Sequence, residues 1–191
     1  MSLALQIARR ARLAGMMESG VAVLPTAPEL ARNADTHFPY RYDSSFHYLT
    51  GFPEPEAVLV VVAGDQPKTI LFCRDKDPDK EIWDGFRHGP DSARESFGFD
   101  EAHSIAVFDQ KLAELIADQP ALWHTLGVDV DWDARLGRAA RGRPAPQGRA
   151  DARLEGVDPS GLRTSRSVSV TDSPSPRDAR SAGLPWPRIA L

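Results

Sequence analysis

The chain has 191 residues, room for one ordinary domain or a domain with an appendage, and its 26% charged and 41% apolar residues match a water-exposed globular protein. A net charge of −4 excludes a generally basic nucleic-acid binder, and a single cysteine, Cys73, excludes an internal disulfide framework and a cysteine zinc site. No apolar run reaches membrane-spanning length, and the first 20 residues carry Arg9, Arg10 and Arg12 where a secretory leader needs an apolar centre, so the expectation is a cytoplasmic protein with no membrane partner.

Taken in chain order, residues 3–18 predict an amphipathic helix, with Leu3, Ile7, Leu13 and Met17 on its buried face, Arg9, Arg10 and Arg12 largely off it, and Gly20 as its stop. Val21–Leu24 predicts a buried strand closed by Pro25, and Phe46–Leu49 a second strand ending at Gly51. Ala57–Ala63 is an unbroken β-branched run suited to a strand covered on both faces, and Thr69–Cys73 follows it as the second arm of a hairpin. Ser92–Ser96 and Phe108–Asp118 predict helices, the latter with Leu112, Leu115 and Ile116 inward. His103–Ala106 and Leu122–Leu126 predict strands, and Asp133–Leu136 opens a further helix. Strands interleaved with helices imply an α/β fold with a mixed sheet.

After Leu136 the composition changes. Residues 1–136 hold 13 basic and 22 acidic residues, a net of −9, whereas residues 137–191 hold 10 Arg, no Lys and 5 acids, a net of +5. That second stretch has 20 Pro, Gly and Ser among its 55 residues and a single aromatic, Trp186, so it is expected to be a disordered tail. Arginine without lysine, amid Pro, Gly, Ala and Ser, is also what GC-rich coding sequence yields when read out of frame, which makes an out-of-frame origin the hypothesis for this stretch.

Few motifs carry chemistry. His37, His47, His88, His103 and His124 are isolated in sequence, with no i, i+4 metal pair. They read as surface or hydrogen-bonded side chains or as a dispersed site assembled by folding. Asp129, Asp131 and Asp133 alternate, which suits either three carboxylates on one strand face for a hard cation or a polar strand end leading to a helix cap at Asp133. Cys73 ends an apolar strand and reads as an inert buried thiol. There is no nucleophile elbow, phosphate loop or dinucleotide fingerprint, and the scattered arginines of the tail do not make a nucleic-acid surface. The densest feature is the aromatic stretch Phe38, Tyr40, Tyr42, Phe46, Tyr48 and Phe52, equally suited to a cleft wall with its own small-molecule site and to a domain core.

That stretch carries a resemblance. Asn33-Ala34-Asp35, Phe38-Pro39-Tyr40-Arg41, Asp43-Ser44, Phe46, Tyr48-Leu49-Thr50-Gly51-Phe52 and Glu54-Pro55-Glu56-Ala57-Val58-Leu59-Val60 together resemble the N-terminal domain of aminopeptidase P, the Xaa-Pro aminopeptidase of the pita-bread metallopeptidases. Glu81-Ile82-Trp83, Gly85, Arg87, Gly89-Pro90 and Gly98-Phe99-Asp100 continue it, so that the likeness covers about residues 3–136. The resemblance implies a three-layer α/β domain with a mixed sheet, like the creatinase/aminopeptidase P N-terminal domain, that aids homo-oligomerisation. It also implies a parent enzyme whose separate catalytic domain binds two manganese ions through two Asp, one His and two Glu, activating a water that cleaves peptides with proline at position two. No counterpart of those ligands follows Leu136, so this chain alone is expected to bind no manganese and to cleave nothing. The resemblance further implies that Asp35 and Trp83 reach a neighbouring subunit's substrate cleft, Asp35 to position a basic or amino group and Trp83 as a wall. Loop capping and core packing are the structural alternatives. The chain then reads as the non-catalytic N-terminal domain of a metalloaminopeptidase, or as a stand-alone module that modulates intact subunits.

Overall fold

The computed structural model describes residues 2–34, 36–142 and 162–164, without the side chains of Trp83, Asp84 and 162–164. Its centre is a six-stranded mixed sheet built from β1 (Gly20–Pro25), β4 (Val58–Ala63), β5 (Lys68–Cys73), β6 (Glu101–Ser104), β7 (Leu122–His124) and β8 (Leu162–Thr164), in the order β6-β5-β4-β1-β7-β8. A small hairpin, β2 (Ala31–Asn33) with β3 (Thr36–His37), stands apart from it. β4 runs antiparallel to both β1 and β5, while β1 pairs parallel with β7, β5 with β6 and β7 with β8. The apolar run at 58–63 therefore lies in the middle of the sheet, as its unbroken β-branched composition requires.

Alternate residues of each strand feed opposite cores. Ala22, Leu59, Val61, Leu71 and Cys73 meet α1 (Leu3–Met17), α2 (Ser44–Thr50) and α4 (Gly89–Phe97) through Ala14, Met17, Phe46 and Ala93. Val21, Val23, Val58, Val60, Ile70 and Phe72 meet α5 (Phe108–Ile116) and α6 (Val130–Arg141) through Phe108, Leu112, Ile116, Leu136 and Ala140. The period of two along each strand thus produces three layers, helices on both faces of one sheet.

Three sequence expectations change. α1 buries Gln6, Arg10, Ala14 and Met17, whereas Leu3 and Ile7 are 39% and 44% exposed, so its inner face is rotated from the apolar stripe. The cause is Arg10, 1% exposed, whose Nη1 donates to the Leu49 carbonyl at 3.1 Å and Nη2 to the Phe97 carbonyl at 3.0 Å and to the Gly98 carbonyl. Those carbonyls end α2 and α4, where unpaired acceptors and the negative end of each helix dipole favour a cation. Burial lowers the Arg10 pKa to about 10, and the nearby Asp100 charge opposes the shift. Second, Phe46–Leu49 is helical, because Asp43 caps the turn by accepting the Phe46 N–H at 2.8 Å and Gly51, at φ +70°, ends it in the left-handed region. These end signals override the strand preference of the aromatics. Third, α6 begins at Val130 and continues to Arg141, past the expected break at Leu136, and Leu162–Thr164 pairs with β7. The rest of the expected tail, 143–161 and 165–191, lies outside the described residues.

Candidate functional site at one edge of the sheet

Because β1, β5, β6 and β7 all run in one direction, Pro25, Cys73, Ser104 and His124 finish on a single edge. In open α/β sheets this carboxyl-terminal edge is where connections are free to form a site. The connections leaving it here contain most of the polar groups that the domain buries.

After β1, Thr26 is tied back by its N–H to the Ala57 carbonyl at 2.9 Å, and its hydroxyl meets the Tyr40 hydroxyl at 2.7 Å. Burial raises the Tyr40 pKa above its usual 10, opposed by the bond to Thr26. Beyond it, Glu54 is 7% exposed. Its Oε1 accepts the His88 N–H at 2.7 Å, with His88 Nδ1 at 3.6 Å, while Arg74 Nη2 stands 3.9 Å from Oε2. Oε2 has no hydrogen bond among the described residues. The acceptor at His88 sits on the N-terminus of α4, whose first amides and dipole favour an anion. Next to this cluster, Glu81 of α3 (Pro78–Asp84) accepts the Arg87 N–H at 2.9 Å.

Farther along the edge, Ser104 donates to Asp75 at 2.6 Å. His124 is hydrogen-bonded through Nδ1 to the Val23 carbonyl at 3.1 Å, and its Nε2 lies 3.3 Å from Asp133 without a hydrogen bond among the described residues. A cavity of about 480 Å³ opens beside β1, bounded by Thr26, Glu29, His37, Glu56, Trp132 and Arg135.

The sequence candidates fall differently. Cys73 is fully buried, and burial first, then the charges of Glu54 and Asp75, push its pKa up to about 12, which leaves no thiolate for nucleophilic work. Asp129, Asp131 and Asp133 are not on a strand face. Asp129 caps α6 by accepting the Asp131 and Trp132 amides at 2.9 and 3.1 Å, the other two lie in its first turn, and the cap is thus four residues earlier than expected. The aromatic stretch divides: Phe46 and Phe52 are core, Tyr40 is hydrogen-bonded, and Phe38, Tyr42 and Tyr48 are exposed. His47 stacks on Tyr42 at 3.7 Å, with its pKa lowered by burial and then by the chain's amino terminus. Among the described residues no three His, Cys, Asp or Glu side chains converge on a metal position, so none of them fits the manganese pair. Asp35, between β2 and β3 in sequence, lies outside the described residues; Trp83 lies on α3, with its side chain outside them. Both therefore belong to connections that leave the same edge, the first after β1 and the second after β5. Arg74 was not singled out by sequence reasoning, Glu54 entered only as part of the resemblance, and His88 only as one of five isolated histidines. The signal present was a carboxylate between two prolines just before the central strand.

Comparison with known proteins places this fold. The sequence model of the aminopeptidase P N-terminal domain matches residues 7–123. Xaa-Pro aminopeptidase of Escherichia coli is 40% identical over 141 residues, covering 70% of this chain and 32% of the relative. That of Haemophilus influenzae is 36% identical over 134 residues, covering 69% and 31%. The low-pH form of Escherichia coli aminopeptidase P superposes with a TM-score of 0.71 at 37% identity, covering 73% of this chain and 32% of that one. The three-layer α/β domain is thus an aminopeptidase P N-terminal domain, and the chain belongs to that family. It spans about a third of the length of the curated relatives it matches. No helix among the described residues is long and apolar enough to cross a membrane.

Proposed function

We propose that this domain serves as the non-catalytic N-terminal part of a manganese-dependent Xaa-Pro metalloaminopeptidase, a cytoplasmic homo-oligomer that removes the residue preceding a proline from peptide N-termini. The observation that carries the reading is that the connections after β1 and after β5, which hold the β2–β3 hairpin and α3, leave the same edge of the sheet. In this reading Asp35 orients the amino or basic group of a peptide held by a neighbouring subunit, Trp83 walls that cleft, and the metal chemistry lies outside the described residues. The test is a chimera in which residues 7–123 replace the matching segment of the Escherichia coli relative. Asp35→Ala and Trp83→Ala should each raise KM for an Xaa-Pro peptide about tenfold with a smaller change in kcat, the pattern of lost substrate binding. Unchanged KM in both would remove the assigned roles. Sequencing the gene beyond codon 120 tests the out-of-frame origin of the terminal stretch.

A second reading, a module that joins and modulates intact subunits, is favoured by the apolar side chains Phe38, Ile82 and Phe86 on these same connections, 51%, 75% and 62% exposed. A second copy of the domain is the occupant such a rim fits. Adding the chain to the intact Escherichia coli enzyme distinguishes the readings: the module shifts oligomer mass and turnover, whereas a domain that acts only in its own chain leaves both unchanged.

A further inference from the structure

The described side chains of α3 give it little apolar anchorage. None of its described side chains is buried, and Ile82 is 75% exposed. Its N-terminus is capped by Asp77, which accepts the Asp79 and Lys80 amides at 3.2 and 3.3 Å. At its other end the chain turns through Gly85, at φ +82°, toward α4. There two carboxylates grip consecutive amides: Glu81 accepts from Arg87 at 2.9 Å, and Glu54 accepts from His88 at 2.7 Å. Glu81 belongs to α3 itself, whereas Glu54, from the connection between α2 and β4, is an acceptor from outside α3 that ties this turn to the sheet edge, beside the Phe52–His88 ring contact.

A buried carboxylate is a poor choice for packing alone, since an apolar side chain of similar volume usually packs at least as well. Glu54 nevertheless has its carboxylate enclosed by the N-terminus of α4, Arg74 and the His88 ring. What an apolar residue cannot supply is the acceptor that fixes the amide of His88. We propose that Glu54 is a positioning residue, which sets where α3 rests on the sheet edge and therefore where residue 83 is presented. The importance of residue 83 rests on the function proposed above; the placement of α3 does not.

Amide hydrogen exchange on the full chain tests it, because local opening is read element by element. In Glu54→Ala, exchange over residues 79–88 should rise about tenfold or more while β4 and β5 keep their protection. Glu54→Gln keeps an acceptor of the same length and should restore protection over 79–88. If the alanine variant does not fold, Glu54→Asp, which keeps the charge but withdraws the acceptor by one methylene, should show the same localised loss relative to Glu54→Gln. Wild-type exchange at 79–88 in the alanine variant, a loss spread equally over β4 and β5, or failure of the glutamine to restore protection overturns the proposal. Trp83→Phe should leave exchange at 79–88 unchanged, so failure of the role given to Trp83 is separable from failure of the clamp.

Discussion

The two helical layers are attached to the same sheet by different means. On the α5 and α6 side the core is built from apolar side chains, with the His124–Asp133 pair at its margin: Phe108, Leu112, Ile116 and Leu136 fill the gaps above Val21, Val60, Ile70 and Phe72, and Phe72 meets Phe108 edge-on at 5.1 Å. On the α1, α2 and α4 side a guanidinium is buried among the apolar residues, joining the ends of two helices through three carbonyls and lying 4.4 Å over the Phe99 ring. The first layer can lose a methylene and partly collapse. The second depends on one side chain whose removal leaves several buried acceptors without donors. The difference teaches that a buried charge here acts as a joint between elements, and Glu54 repeats that logic at the sheet edge with the opposite sign.

Substitutions sharpen this contrast in order of size. Arg10→Ala should cost about 3–5 kcal/mol in chemical denaturation, since it removes a buried stem and the charged donors of three carbonyls, each such bond being worth about 1.5–3 kcal/mol. Arg10→Met, which restores the stem but not the donors, should recover less than half of that loss, and full recovery would reduce Arg10 to packing. In the apolar layer, Leu112→Ala, at a site 1% exposed, should cost about 3 kcal/mol, with the value set by how far α5 settles into the cavity. Asp129→Ala removes the α6 cap and should cost about 1 kcal/mol, visible as fraying of the first turn by circular dichroism or amide exchange.

The smallest effect depends on pH. Lys68, bonded at 2.9 Å, and then His103 hold the Glu101 carboxyl below its usual 4.5. Because the folded value is the lower one, its contribution is present above about pH 4.5 and disappears as pH falls through the folded value. Both groups are well exposed, so solvent screening keeps the contribution small. Lys68→Ala should reduce the stability difference between pH 7 and pH 3 by that small amount.

Much of the sheet was legible. The runs at 21–24, 57–63 and 69–73 have the apolar density of covered strands, and α5 shows its inward residues at helical spacing. What was not legible involves partners remote in sequence. Arg10 reads as a solvent-facing cation until Leu49, Phe97 and Gly98 are brought to it. Phe46–Leu49 reads as a strand unless Asp43 and Gly51 are weighed as end signals, and the three aspartates suited a strand face as well as a cap before the helix was seen. The roles proposed for Asp35 and Trp83 come from resemblance alone, since local pattern does not specify that the connections after β1 and after β5 leave one edge of the sheet. The Glu54 cluster joins residues up to 34 positions apart.

The most direct test of the central claim is peptide turnover by the chimera carrying residues 7–123, compared with the Escherichia coli relative lacking its matching segment. If this chain supplies a working N-terminal domain, the chimera should match the intact relative in both oligomer mass and Xaa-Pro cleavage. A chimera that folds, with native amide protection in β4 and β5, yet is no different in mass and turnover from the relative lacking the segment would contradict it.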